Sequence, residues 1–259
     1  MNKPAASDGT VGKALEILDS VAAFERPVRF TELLESSRYP KATLYRFLQT
    51  LTNQQMLSYD ARDGSYSLGG RLMKLAYSAW KNASLAPIAQ PFLEELIQQV
   101  GEAVHLAQID NGQVLFVAKL KATDRYETLA QVGQVAPAYC TGVGKAMLAF
   151  LAPKRLELAL RQQAYFKYTP ATHGSAKSLL AELDEVRKSG VAYDREEHEE
   201  GIISIAAPIL STNGRVIGAL SIATSTAHNT LESLERFRPA LLETAEKIGA
   251  EATSWQFPA

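Results

Sequence analysis

The sequence predicts an α+β protein of two domains, and three observations carry that prediction. The first eighty of its 259 residues hold three short runs with apolar residues at helical spacing, then two short strands across a turn signal. From residue 102 the pattern changes to strand hairpins separated by helical stretches, as in an antiparallel sheet with helices packed on it. Between the two lies a stretch that is helical throughout and punctuated by Pro87 and Pro91. The expected boundaries are 1–70 for the first domain, 71–90 for a helical linker and 91–259 for the second domain.

In chain order, VGKALEILDSVAAF places Val11, Ala14, Leu15, Leu18 and Ala22 on one helical face, with Thr10 as the expected N-cap. RFTELLESSR offers Thr31 as a second cap, with Glu32 and Glu35 where acids suit the helix dipole. In YPKATLYRFLQTL, Pro40 suits a first helical position. Leu44, Phe47, Leu48 and Leu51 form the stripe that faces a core. MLSYD and SYSLG then flank ARDG as two strands of a hairpin.

Burying that stripe turns Lys41, Thr43, Tyr45, Arg46 and Gln49 outward. This outer face carries two positive charges and no acid. An isolated helix with such a face reads as solvated surface. Three short helices and a hairpin, however, make a winged helix-turn-helix, whose third helix enters the DNA major groove. Lys41, Thr43 and Tyr45 have donors suited to phosphates. Arg46 suits a phosphate or a guanine edge, and Arg62 at the wing tip suits the backbone or the minor groove.

Leu72, Leu75 and Ala79 share one side of the next helix, and Tyr77 and Trp80 read as packing residues. A further helix shows Phe92, Leu96, Ile97 and Val100 before Gly101. EAVHLAQI and QVLFVAKL flank DNG, and IISIAAPIL and RVIGALSIA flank STNG, giving two hairpins. GKAMLAFL, PKRLELALRQ and SAKSLLAELDEVRKSG are the helices between them. The last has a Ser175 cap, apolar Leu179, Leu180, Leu183 and Val186, and a Gly190 stop. The chain ends in a helical segment that restarts near Pro239.

Composition excludes several classes. No apolar run reaches the roughly 18 to 20 residues of a membrane-spanning helix, so no membrane partner is expected. The start has no apolar signal core, and a single cysteine rules out an intrachain disulfide, which together predict a cytoplasmic protein. The net charge of −1 hides an asymmetry. Residues 1–78 carry ten Lys/Arg against eight Asp/Glu, and the rest carries 17 against 20, so a mildly basic start sits on an acidic body.

CTGVGKAML (140–148) is the stretch where chemistry is most open. A phosphate loop needs glycine where Tyr139 stands and Ser or Thr where Ala146 stands, so nucleotide hydrolysis is rejected. A Cys140 nucleophile needs a histidine in space, and His105, His173, His198 and His228 are scattered. DREEHEEG (194–201) is contiguous, without ligand spacing along a helix face, and reads as a solvated charge run; no metal and no cofactor are expected. Asp194, after VAY, suits an inward-pointing position. The third possibility is a helix N-terminus whose free N–H groups hold a small anion, with glycines that let it approach. Ser204 and Ser221 lie in strands that could close such a pocket, with Ser221 and Ala223 on one strand face. They read equally well as ordinary strand residues.

Taken together, YPKATLYRFLQTL, GSYSLGGRLMKLA, GEAVHLA, CTGVGKAMLAFL, VRKSGVAYDREEHEEGIISIAAPI and GALSIATS make the sequence resemble the IclR family of bacterial transcriptional regulators across residues 10–250. The resemblance implies a winged helix-turn-helix followed by a GAF-like α/β effector-binding domain. It implies homodimers, paired as dimers of dimers, that bind palindromic operators in double-stranded DNA near catabolic genes, as repressor or activator. It implies a small organic or aromatic acid as effector, held by backbone N–H groups of Gly142 and Val143 and by Asp194, Ser204 and Ser221. Ala223 departs from members with a second serine there, which puts a glyoxylate- or pyruvate-like ligand in doubt. No catalytic residue is expected. The competing reading is an enzyme acting on a small acid in the second domain, with the first as accessory.

Overall fold

The structure, a computed structural model, describes residues 9–122 and 126–252, with only the backbone over 79–83. The packing expected of Trp80 therefore lies outside the described residues. The chain divides into two compact units, Met1–Asn82 and Ala83–Ala259. The division falls inside the stretch read as a linker.

The first unit contains α1 (Gly9–Ala22), β1 (Val28–Arg29), α2 (Phe30–Ser36), α3 (Lys41–Asn53), β2 (Leu57–Asp60), β3 (Ser65–Leu68) and α4 (Gly70–Ala83). β3 lies between β1 and β2 in an antiparallel sheet. With α1, α2 and α3 this is a winged helix-turn-helix. Leu44, Phe47, Leu48 and Leu51 are buried with Ile17, Leu18, Val21 and Leu33, as the α3 periodicity requires.

Five local expectations shift. α1 begins at Gly9, so Thr10 sits in its first turn rather than at the cap. Its buried stripe runs through Ile17, Leu18 and Val21, while Val11 and Leu15 remain 72% and 51% exposed. The apolar residues of α1 offer more than one stripe, and packing on α3 and β3 chooses between them. At α2, Thr31 does not cap. Glu32 Oε2 instead accepts from the Arg29 backbone N–H at 2.8 Å. Pro40 stands just before α3, and its carbonyl accepts from Thr43 and Leu44 N–H at 2.9 and 3.0 Å. In α4, Leu72 packs on the core, but Leu75 and Tyr77 are exposed.

The second unit contains α5 (Ala86–Val100), β4 (Ala103–Asp110), β5 (Gln113–Leu120), β6 (Val135–Ala136), α6 (Gly142–Ala149), α7 (Pro153–Gln162), α8 (Ala176–Ser189), β7 (Ala192–Arg195), β8 (Ile202–Leu210), β9 (Val216–Ser225), α9 (Leu231–Leu234) and α10 (Arg238–Glu251). Six antiparallel strands follow the order β6-β5-β4-β9-β8-β7. Alternation along the strands builds two cores. Ile203, Ile205, Leu220 and Ile222 face Leu93, Leu96 and Leu241 of α5 and α10. Ala206 and Ala219 face Val143, Met147 and Leu183 of α6 and α8. α5 runs through Pro91 at the loss of one backbone bond, while its Leu93, Leu96 and Ile97 are buried. Ser175 and Gly190 bound α8 as expected, but Leu180 turns outward at 38% exposure.

Candidate functional site

In the first unit the α3 outer face is free of acid. Lys41, Tyr45 and Arg46 are exposed and Thr43 is half-buried. Tyr45 stands edge-on to Phe30, with ring centroids 6.1 Å apart, and accepts from Gln49 Nε2 at 3.0 Å. The charges around this face divide into two groups. Arg26 pairs with Glu32, Arg38 with Glu16, and Arg62 with Asp60. Among the described residues, Lys41 and Arg46 have no carboxylate within 4.0 Å. Arg62 does reach the wing tip. Its Nε lies 3.1 Å from Asp60 Oδ1 and one terminal nitrogen 2.7 Å from Oδ2, so a phosphate would have to compete with Asp60 for it.

In the second unit the site is built where α6 begins. Thr141 occupies its N-cap position but does not cap it, because its hydroxyl donates to the Pro137 carbonyl at 2.9 Å. The first N–H groups of α6 are thus left without a side-chain acceptor. The two glycines have different roles. A Cβ on Gly142 would lie 2.6 Å from Ser204 Oγ and 3.3 Å from Ala206 Cβ, so glycine lets α6 start against β8. A Cβ on Gly144 would lie 2.3 Å from the Ala138 carbonyl, so glycine there serves packing.

Sheet register brings the remaining groups to this point. Asp194 of β7 pairs with Ser204 of β8, which pairs with Ala223 of β9. One row along, Ala206 pairs with Ser221, which pairs with His105 of β4. Gly142, Val143, Asp194, Ser204, Ser221 and Ala223 all line one cleft of about 40 Å³. Ser204 is 6% exposed, and its hydroxyl has no hydrogen-bond partner among the described residues. An unpartnered hydroxyl that opens onto the cleft, beside N–H groups without a side-chain cap, is able to donate to an acceptor there.

Eight lining residues escaped the sequence reading, among them His105, Phe116, Thr128, His198 and Glu199. His105 Nε2 lies 3.1 Å from Thr128 Oγ1, and Nδ1 lies 3.5 Å from Ser221 Oγ. Burial, helped by Lys119, pushes its pKa down to about 3, so the ring is neutral near pH 7. A polar residue inside the apolar strand AVHLAQI was a usable signal for His105. Thr128 and Glu199 lie outside regular secondary structure and carried no comparable signal.

DREEHEEG is not a solvated run. Glu197 is 3% exposed, and His198 and Glu199 line the cleft. Asp194 is 8% exposed and accepts from the Glu197 backbone N–H at 2.8 Å. Burial, reinforced by nearby Glu197 against the pull of Lys145, pushes its carboxyl up to about 7.

Lys145 is fully buried. Its ammonium bonds Glu197 at 2.5 Å and Glu182 at 2.8 Å. Glu182 also meets His173 at 2.6 Å and Arg195 at 2.7 Å. Burial works to raise Glu182, but His173, Lys145 and Arg195 hold it well below the usual carboxylate range. His173, Glu182 and Glu197 bring ligand atoms within 4.8 Å of one another, as around a small cation. The Lys145 ammonium, bonded to both carboxylates, supplies the positive charge there. Cys140 is buried, and burial raises its thiol far above neutral pH, which removes the nucleophile reading.

The sequence matches two family descriptions: the IclR helix-turn-helix domain over residues 10–61 and the bacterial transcriptional regulator IclR C-terminal domain over 77–250. This chain belongs to the IclR family of bacterial transcriptional regulators. It is 31% identical to the HTH-type transcriptional regulator KdgR of Escherichia coli (strain K12), over 100% of this chain and 98% of that one. Among solved structures it is similar to the Thermotoga maritima IclR, with TM-score 0.78 and 27% identity over 94% of this chain and 98% of the other. An IclR homologue from Microbacterium hydrocarbonoxydans, complexed with 4-hydroxybenzoate, shares the fold at TM-score 0.79 and 23% identity, over 94% and 99% of the chains. Like other IclR regulators, the chain joins a helix-turn-helix domain to an effector-binding domain.

Proposed function

We infer that this IclR regulator controls a catabolic operon and that a small organic or aromatic acid, seated at the start of α6, modulates its operator affinity. The uncapped α6 N-terminus facing the unpartnered Ser204 hydroxyl carries this reading. The acid's carboxylate accepts from the Gly142 and Val143 N–H groups. Ser204 and Ser221 supply hydroxyls, and His105 with Thr128 sets the orientation of Ser221. Ala223 contributes no hydrogen bond where a serine would, so the site relies on fewer side-chain donors. The acid changes DNA affinity only to the extent that it binds the tight and weak DNA-binding states unequally.

On the DNA side, Lys41, Thr43, Tyr45 and Arg46 of α3 meet the major groove of a palindromic operator, bound by a homodimer or a dimer of dimers. Arg62 joins them only by leaving Asp60. The regulator works in the cytoplasm; no described helix is long and apolar enough to cross a membrane. The enzyme alternative lacks a usable hydroxyl–imidazole pair. The hydroxyl–imidazole pair in the cleft, Ser221 with His105, has its imidazole pushed down to about 3.

The test has two steps. A metabolite panel is screened by thermal shift, and hits are added to a mobility assay on the DNA upstream of the protein's own gene. An acid that both stabilises the protein and changes the shifted fraction is expected. Hits confined to bases or neutral compounds would overturn the acid reading.

A further inference from the structure

The cleft at α6 is too small for most metabolites. Its volume of about 40 Å³ compares with roughly 10 to 15 Å³ needed by one water in the same kind of measure. A carboxylate and one or two further atoms fill it. Beside it lies a groove of about 400 Å³, within the size range of small-molecule sites. The two spaces share Phe116, Thr128, His198 and Glu199 as common lining, so they adjoin.

The shared residues form a throat. The Phe116 ring stands edge-on to His105 at 5.8 Å, and the His198 ring edge-on to Tyr168 at 5.2 Å. Burial lowers the pKa of His198, which favours the uncharged ring. Beyond the throat the groove is lined by Leu129, Val135 and Ala136. Leu129 is 57% and Val135 60% exposed, so apolar surface there still faces water. One of the groove's two carboxylates has cationic partners. Glu127 is bonded to Lys119 and Lys121, and Glu199 accepts from the Leu129 N–H at 3.0 Å.

A polar cleft too small for a whole ligand thus adjoins, across aromatic walls, an apolar groove with no free cation among its lining residues. Resting on the reading of α6 as the anion site, we propose that the effector is an extended acid. Its carboxylate lies in the cleft, and its uncharged aliphatic or aromatic body passes between Phe116 and His198 to cover Leu129, Val135 and Ala136. A second negative charge on the tail is disfavoured, because it would lie on apolar surface beside Glu199 with no free cation among the lining residues.

The full-length protein is titrated with acetate, butyrate, hexanoate and hexanamide, and the rise in unfolding temperature with ligand concentration gives apparent affinities. Once the chain reaches the groove, each added methylene is expected to tighten binding about fourfold. Hexanamide should lose most of the affinity of hexanoate. Leu129→Asp, at an exposed position that folding does not depend on, should remove the gain from butyrate to hexanoate. If short acids bind and lengthening adds nothing, the extended-acid proposal is wrong while the anion site stands. If hexanamide equals hexanoate, or Leu129→Asp keeps the length dependence, the groove is not joined to the head as proposed. If no acid shifts the transition, the anion-site reading fails and takes this proposal with it.

Discussion

The starts of α3 and α6 both face a proposed anion, yet they are built in opposite ways. α3 presents exposed side-chain charges, Lys41 and Arg46, that have no carboxylate partner among the described residues. α6 presents buried backbone N–H groups and neutral hydroxyls, and its own cation, Lys145, is bonded to Glu182 and Glu197. The difference teaches what each site can discriminate. Mobile charges in water suit a repeating phosphate backbone, and their attraction is screened by salt. Fixed donors in a closed cleft suit one carboxylate in one pose, and their strength depends on local protonation and shape.

The sharpest way to break the contrast is to remove Lys145. Lys145→Ala leaves Glu197, and in part Glu182, as uncompensated buried charges. We expect a loss of about 3 to 5 kcal/mol in stability by chemical denaturation. An unchanged midpoint would mean that the ammonium is not the buried keystone described above. Arg46→Ala on α3, by contrast, should leave stability within about 0.5 kcal/mol.

Next comes shape. In Gly142→Ala the new methyl meets Ser204 Oγ at 2.6 Å in the present geometry, and the space for the carboxylate closes. Acid binding should fall by about two orders of magnitude, comparable to losing a charge-assisted hydrogen bond. Operator affinity in the absence of acid should hold. Acid binding at wild-type strength, read by thermal shift, would move the anion site away from α6.

Salt separates the two sites from the other direction. Arg46→Ala should weaken DNA binding about tenfold and reduce the slope of log affinity against log salt by about one, if Arg46 holds a phosphate. Acid binding in the same buffers should vary little. A mobility-shift series from low to moderate salt reads both quantities, and an unchanged slope would remove Arg46 from the phosphate contacts.

The smallest expected effect is on pH. Asp194 is pushed up to about 7 by burial, so below that pH it is largely protonated and adds no repulsion. Above it, the carboxylate repels a bound acid. Acid affinity should therefore fall as pH rises through about 7, by several-fold between pH 6 and 8. Asp194→Asn should flatten the profile. The same sign holds for stability. The folded protein holds this proton more tightly than the unfolded chain, so the Asp194 contribution declines as pH rises from about 4 to about 7.

Much of the architecture was legible because it is local. The stripe Leu44, Phe47, Leu48, Leu51, the Ser175 cap, the Gly190 stop and the DNG turn each follow from spacing or backbone chemistry within a few residues. The α1 face was misread because two stripes were available, and only packing on α3 and β3 could choose Ile17 and Val21 over Val11 and Leu15. DREEHEEG was misread for a related reason. A run of acids looks solvated until a lysine fifty-two positions earlier is buried against one of them.

By itself, then, the sequence determined the elements, their order and the acid-free face of α3, since those depend on periodicity and charge along one segment. It also contained the residues of the α6 cleft, and the family resemblance named six of them. Only the tertiary structure decided that Thr141 turns its hydroxyl away from the helix, that Ser204 has no partner among the described residues, and that His105 lies across from Ser221. Those facts arise from strand register and helix docking between segments up to 116 residues apart. Sheet pairing fixes side-chain positions across such distances, and no local pattern encodes it.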